Sequence, residues 1–276
     1  MRILISCDME GTSGIVDWEQ VTPGKGEYER GRRLMTADVN AAIAAAFDAG
    51  ANEVTVSDAH WFARNILVEE LDPRVALHSG SPAQISMLQS IDGDEPYHGL
   101  VCCGYHARAG TLNAVLCHTW SDQVLGVWLN GQAVGEIGLN AALAGHYGTP
   151  VIAIAGDQAA CQEAQALLGK DIETAVVKTS IGRFAARCLP LAQARQQIHK
   201  AVFAAVKKLA AGNKPPLFQV QPPIQLGIEY ARPNLADRAN LVPGAERISG
   251  TRLLFQAPDM QTAMRALRAM TALATE

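Results

Sequence analysis

The stretch that decides the fold is Arg2-Ile3-Leu4-Ile5-Ser6-Cys7-Asp8-Met9-Glu10, where an apolar segment runs into two acids. Residues 2–7 have the composition of a buried strand. A helical pattern follows, is ended by Gly50 and leads into a second apolar run at residues 53–57. The apolar positions of this helix recur at near-helical spacing: Met35, Val39, Ile43 and Phe47. Strand, helix and strand in this order predict a parallel β-α-β unit.

Further apolar runs at residues 99–104, 151–155 and 174–178 alternate with helical patterns. The alternation predicts an α/β fold with a central, largely parallel sheet and flanking helices. Asn130-Gly131 favours positive φ at both turn positions, so we expect a hairpin between residues 124–129 and 132–137. Glu136 then falls on the return strand of this hairpin.

A second, smaller part is expected at the C-terminus. Residues 212–223 contain four prolines, which cannot continue a helix or a central strand. Strand patterns at residues 224–230 and 252–255 and a closing helix come after them. We therefore predict a catalytic domain over residues 1–211 and an α+β part over residues 212–276 packed on it.

Composition narrows the functional classes. The chain has 276 residues, 49% of them apolar, which is enough for a sizeable core. Its net charge of −4 includes no basic block, and no stretch has the roughly 18 to 20 apolar residues of a membrane helix, so we expect neither a nucleic-acid nor a membrane partner. Six cysteines without a CxxC pair and an N-terminus without a long apolar core favour a cytoplasmic protein with reduced thiols.

Potential ligand residues follow three of the predicted strands. Asp8 and Glu10 follow the first strand, two residues apart, and their side chains can point the same way. His60 follows the second strand and His106 the third. The carboxyl ends of parallel strands form the ligand-binding edge of an open α/β sheet, so these groups are expected to meet there. A lone histidine is usually structural, but three coincident strand ends favour a site.

Mixed imidazole and carboxylate donors suit zinc and related divalent ions. With Glu136 from the predicted hairpin there are five such donors, which are too many for one tetrahedral ion with an open position and favour two ions about 3.5 to 4 Å apart. No compact motif such as HExxH is present, so spacing alone does not identify the ligands.

Four blocks of sequence resemble the DppA-type D-aminopeptidases, zinc metallopeptidases of the M55 family. These blocks are Ser6-Cys7-Asp8-Met9-Glu10-Gly11-Thr12-Ser13-Gly14, Ser57-Asp58-Ala59-His60, Gly104-Tyr105-His106-Ala107-Arg108-Ala109 and Gly135-Glu136-Ile137-Gly138-Leu139-Asn140. The resemblance extends along nearly the whole chain, including Tyr28-Glu29-Arg30-Gly31-Arg32 and Ala155-Gly156-Asp157.

This resemblance implies a dizinc aminopeptidase acting on short peptides or amides with an N-terminal D-residue. The zinc ligands carry over to Asp8, Glu10, His60, His106 and Glu136. Metal-activated water is the implied nucleophile, and His118 is the implied catalytic residue that assists it. The resemblance also implies about two zinc ions per chain and a ring-like homodecamer. Trp120 stands near His118 where the resemblance suggests a smaller residue, so the exact substrate stays open.

The main alternative is a phosphatase of the haloacid dehalogenase type. Asp8-Met9-Glu10-Gly11-Thr12 comes close to the Asp-x-Asp-Gly-Thr motif of that class, in which Asp8 would attack phosphorus with magnesium assisting. Asp157 would serve its later metal motif. Glu10 in place of the second Asp and Cys161 in place of an acid both depart from the pattern. A third possibility is a metal-binding scaffold without catalysis, against which His118 argues.

Overall fold

The computed structural model describes residues 1–82 and 84–275, which form two β-sheets with six α-helices around them. The strands are β1 (Arg2–Cys7), β2 (Glu53–Asp58), β3 (Ala76–His78), β4 (Gly99–Tyr105), β5 (Val124–Leu129), β6 (Gln132–Val134), β7 (Val151–Asp157), β8 (Glu173–Gly182), β9 (Ala185–Cys188), β10 (Ile224–Tyr230), β11 (Ala245–Arg247) and β12 (Arg252–Ala257). The helices are α1 (Tyr28–Asp48), α2 (Glu136–His146), α3 (Gln158–Leu168), α4 (Leu191–Ala210), α5 (Pro233–Ala239) and α6 (Met260–Leu273).

The larger sheet has the strand order β3-β2-β1-β4-β7-β8-β9. Neighbouring strands run parallel except at the β8–β9 edge. Helices α1 and α4 pack together on one face, where alternate residues of β1 such as Ile3 and Ile5 point. Leu4 points to the other face and into a core shared with α2, α3 and the second sheet. The α/β fold with a largely parallel sheet is thus confirmed.

The second sheet is antiparallel, with the order β11-β12-β10-β5-β6. The β5–β6 hairpin closes at Asn130 (φ 48°) and Gly131 (φ 83°), as their sequence predicts. The predicted return strand to residue 137 is wrong, because β6 ends at Val134 and Glu136 begins α2. The alanine- and leucine-rich run after Glu136 favours a helix over the strand expected there.

The predicted division at residue 212 stays a prediction. The stretch from 212 to 223 is without helix or strand, as its prolines indicate. The strands after it, however, share their sheet with β5 and β6 from the N-terminal part. Strands from both proposed parts therefore complete one sheet. None of the helices in the described ranges is both long and apolar enough to cross a membrane.

Candidate metal centre

The carboxyl ends of three neighbouring strands bring the candidate ligands together. Asp8 and Glu10 follow β1, His60 follows β2 and His106 follows β4, and all four side chains are buried. Glu136 reaches the same place from the first turn of α2. Its carboxylate is favoured there because the N-terminus of a helix carries partial positive charge.

A close approach of two backbone segments fixes Asp8 and Glu10 against the end of β4. The N–H of Asp8 donates to the Cys103 carbonyl at 2.8 Å, and that of Gly11 donates to the Gly104 carbonyl at 2.7 Å. A Cβ on Gly11 would lie 1.9 Å from the Tyr105 carbonyl oxygen, and one on Gly104 would lie 2.1 Å from that of Asp8. Glycine at both positions is therefore required for the carboxylates to sit beside His106.

The side chains form two groups of three. The first donor group consists of Asp8, Glu10 and His60, with His60 Nδ1 lying 3.1 Å from Asp8 Oδ1 and 3.1 Å from Glu10 Oε2. Its three side chains come from two adjacent parallel strands, so the sheet itself sets their spacing.

The second donor group consists of His106, His118 and Glu136. Glu136 Oε1 lies 3.5 Å from His106 Nε2 and 3.8 Å from His118 Nε2. The two imidazole rings stack with their centroids 4.1 Å apart. The N–H of Trp120 donates to Glu136 Oε1 at 2.8 Å and orients that carboxylate. His118, expected near the metals without binding one, thus lies among the potential ligands.

Asp8 lies between the two groups. Its Oδ1 faces His60, and its Oδ2 lies 3.4 Å from His106 Nε2. One carboxylate therefore presents an oxygen to each group, which is the geometry of a carboxylate that bridges two cations.

Hydrogen bonds on the far side of each ring determine which nitrogen carries the proton. His60 Nε2 lies 2.8 Å from the Val21 carbonyl, His106 Nδ1 lies 3.0 Å from the Ala107 carbonyl and His118 Nδ1 lies 2.8 Å from the Leu116 carbonyl. A carbonyl only accepts, so these nitrogens are the N–H donors. In the neutral rings, each nitrogen that faces a carboxylate is therefore unprotonated and carries a lone pair.

Lone pairs facing carboxylate oxygens repel unless a proton or a cation lies between them. Burial disfavours a charged imidazole, but Glu10 and Asp8 outweigh it and raise the pKa of His60 well above its ordinary value. Burial acts likewise on His106, where Glu136 and Asp8 raise the pKa well above the ordinary range. Burial also opposes ionisation of Asp8, yet His106 and His60 lower its pKa well below the usual value. The site thus requires positive charge.

The donor set fits zinc by chemistry and by spacing. Ligands about 2.0 to 2.1 Å from a tetrahedral zinc are about 3.3 Å from one another. The separations of 3.1 to 3.5 Å around His60 and His106 match this value. Asp8 Oδ2, Glu10 Oε2 and His106 Nε2 are buried and have no hydrogen-bond partner in the described ranges. A buried polar atom without a partner is costly, and coordination of a cation would remove that cost.

Sequence reasoning missed Lys178, which supports the first donor group by holding the loop that carries Glu10. This fully buried ammonium on β8 donates to the carbonyls of Glu10 at 2.5 Å, Thr12 at 2.8 Å and Ile15 at 2.6 Å. Burial lowers the pKa of Lys178 to about 8, so most of it is still charged at neutral pH. A lysine within an otherwise apolar strand was the available signal.

Asp58 holds the loop that carries His60. Its carboxylate accepts from the backbone N–H groups of Asn65 at 2.6 Å and Ile66 at 2.9 Å and from the Asn65 side chain at 2.8 Å. Asp58 therefore closes the loop, whereas the His60 ring is oriented by the Val21 carbonyl.

Both donor groups open into one cavity of about 520 Å³. Beside the ligands, its lining includes Trp18, Trp61, Trp120, Met87 and Asp122. A cavity of this size has room for a small ligand next to the donor groups.

The family model for the D-aminopeptidases of peptidase family M55 matches residues 1–269. This chain belongs to the M55 D-aminopeptidase family. A D-aminopeptidase of Bacillus subtilis (strain 168) is 42% identical over 278 aligned positions, covering 99% of this chain and 98% of that protein.

The chain is also similar to a solved structure described as the Zn-dependent D-aminopeptidase DppA from Bacillus subtilis, a self-compartmentalizing protease. It matches with a TM-score of 0.94 and 40% identity, over 99% of this chain and 98% of that one.

Family membership does not support the phosphatase alternative, and the geometry gives the physical reason. Asp157, which that hypothesis needs as a metal ligand, accepts from the backbone N–H groups of Ala160 and Val115 at 3.0 Å each. It caps α3 and holds the loop that leads to His118. Asp8 meanwhile faces two imidazoles.

Proposed function

We propose that this chain is a zinc-dependent D-aminopeptidase that hydrolyses short peptides or amides with an N-terminal D-residue. The observation that carries the proposal is the pair of donor groups joined by Asp8, in which imidazole lone pairs face carboxylates at zinc-ligand spacing. The family and the zinc dependence named for the solved relative agree with it.

Asp8, Glu10 and His60 would hold one zinc ion, and Asp8, His106 and Glu136 the other. A zinc pair supplies a Lewis acid for the scissile carbonyl and acidifies the attacking water. The two donor groups adjoin the same cavity, so a substrate amide there lies beside both.

His118 moves the proton in this proposal. Its Nδ1–H is committed to the Leu116 carbonyl, so Nε2 presents a lone pair to the cavity beside Glu136. Nε2 can therefore take a proton from the attacking water and return it to the leaving amine. The stacked His106 ring and the T-shaped Trp18 ring limit how far the imidazole can turn.

The proposal extends to the oligomeric state and the cellular location of this chain. The solved relative is described as self-compartmentalizing, which supports a homo-oligomer, and a decamer is our expectation for this chain. An inner chamber enclosed by such an oligomer would admit short peptides and exclude folded proteins. The predicted cytoplasmic location agrees with six unpaired cysteines.

Metal analysis combined with a substrate screen tests the function. Purified protein should contain about two zinc ions per chain, lose activity on chelation and hydrolyse D-aminoacyl amides in preference to L-aminoacyl amides and a phosphate ester. A chelator-resistant protein, or one whose main activity is on the phosphate ester, would contradict the proposal.

A further inference from the structure

Three of the four tryptophans in the chain line the cavity of the donor groups. Trp18, Trp61 and Trp120 come from three separate segments, and Met87 adds a further apolar side chain to the lining. Ligand cavities are typically lined by aromatic and apolar side chains with a few placed polar groups. The concentration of indoles here suggests a subsite for an apolar part of the ligand.

Two of these tryptophans have an unusual backbone conformation. Trp61 (φ 50°) and Trp120 (φ 69°) lie in the left-handed region, which bulky residues rarely adopt. Strained residues of this kind persist where the surrounding structure holds them, and they concentrate at ligand sites. Trp120 is held by its N–H bond to Glu136, and Trp61 follows His60 in the loop that Asp58 closes. The contacts that hold these backbone conformations also place both rings next to potential metal ligands.

The indoles lie next to candidate catalytic and metal-ligating residues, where they can contact a substrate side chain. Trp18 contacts His118 edge-on, with ring centroids 5.4 Å apart, and the Trp61 ring lies 6.4 Å from that of His60. Trp61 is 55% exposed, so its ring can still lose contact with water when a ligand binds. Burying such an apolar surface is favourable. Because these rings and the donor groups line the same cavity, the side chain of the residue that provides the scissile carbonyl can reach the rings.

The charges of the lining favour the same kind of ligand. It contains the carboxylates of Asp8, Glu10, Asp122 and Glu136, and no Lys or Arg is among its described residues. Arg183, which lies over the Trp18 ring, is paired with Asp122 at the rim. Asp8, Glu10 and Glu136 would be committed to the zinc ions and Asp122 to Arg183, so a neutral side chain suits the described lining better than a charged one.

We propose that Trp18, Trp61 and Trp120 form a subsite for a large apolar or aromatic side chain on the N-terminal D-residue of the substrate. The inference rests on the proposed D-aminopeptidase function and narrows its substrate class. In this inference the three tryptophans select the substrate side chain, a role separate from those of the metal ligands and of His118.

The experiment compares D-phenylalanine amide, D-leucine amide and D-alanine amide as substrates of the zinc-loaded protein. Ammonia is the leaving group of all three, so only the side chain differs. The wild type should have a kcat/KM for D-phenylalanine amide on the order of 10- to 100-fold above that for D-alanine amide. Trp61→Gly and Trp120→Gly accommodate the positive φ and should reduce this ratio at least about tenfold, whereas Trp61→Phe should keep most of it.

Phe203→Ala is the control, because Phe203 is an aromatic residue of α4 that stacks on His199 and lies outside the described lining of this cavity. It should leave the ratio unchanged. Binding gives a readout that needs no turnover: quenching of tryptophan fluorescence should show at least about tenfold tighter binding of D-phenylalaninol than of D-alaninol, and Trp61→Gly should abolish the difference.

The outcomes separate this inference from the proposed function. Hydrolysis of all three amides without a preference for bulk, and equal binding of the two amino alcohols, would overturn the subsite while leaving the aminopeptidase intact. Selective binding of D-phenylalaninol without amide hydrolysis would support the subsite and refute the proposed function.

Discussion

The two donor groups of this chain reach the same point by different structural means. Asp8, Glu10 and His60 follow two adjacent parallel strands, so the regular sheet sets their spacing. His106, His118 and Glu136 come from a strand end, from the segment between β4 and β5 and from the start of α2, which packs between the two sheets. The first group follows from the sheet, whereas the second depends on how the second sheet and α2 pack against it.

The largest expected effect comes from breaking the first group. His60→Ala removes the nitrogen that faces Asp8 and Glu10 and leaves two buried carboxylates less compensated. The variant should lose about one zinc ion per chain, and turnover should fall more than about 10⁴-fold because the residues act as a unit. Elemental analysis and kinetics on one preparation measure both effects.

His199→Ala is the control for this variant, because His199 lies on α4, pairs with Asp48 of α1 and belongs to neither donor group. It should retain metal and turnover. Full metal content with near-normal turnover in His60→Ala would refute the role of the first group.

Sequence alone predicts the first group better than the second. All members of the first group, Asp8, Glu10 and His60, follow predicted strands that the structure contains, whereas in the second group only His106 does. Glu136 was identified by resemblance and placed on a strand, whereas it begins a helix. Nothing local indicates that Trp18 and Trp61, from distant segments, share a cavity with Trp120. That arrangement depends on loop packing, which periodicity does not encode.

A smaller effect is expected from His118, which distinguishes a proton carrier from a ligand in the second group. His118→Ala should keep its zinc and lose turnover by a factor on the order of 10² to 10⁴, the range typical of one positioned acid–base group. The reason is that Asp8, His106 and Glu136 would already give the second ion three protein ligands, the number typical of a catalytic zinc, which leaves His118 Nε2 for proton transfer. Metal content and turnover are measured on the same preparation.

Either of two results would change that assignment. Loss of one zinc ion from His118→Ala would make His118 a ligand, and near-normal turnover would make it a bystander. His146→Ala serves as a control, since His146 ends α2 on a different cavity from that of the donor groups.

The smallest effect should come from Lys178, which tests whether the first group is set by the sheet alone or also by its support. Lys178→Met keeps the length of the side chain but removes three bonds to the carbonyls of the loop that carries Glu10. Zinc affinity should fall about 10- to 100-fold, as for other partners that orient metal ligands, and saturating zinc should restore most of the turnover. Lys208→Met, which affects a half-exposed lysine paired with Glu173, is the matched control. Zinc titration and thermal unfolding together distinguish the possibilities. A folded Lys178→Met variant with reduced thermal stability but unchanged zinc affinity would show that Lys178 supports only the fold and that the parallel strands alone set the first group.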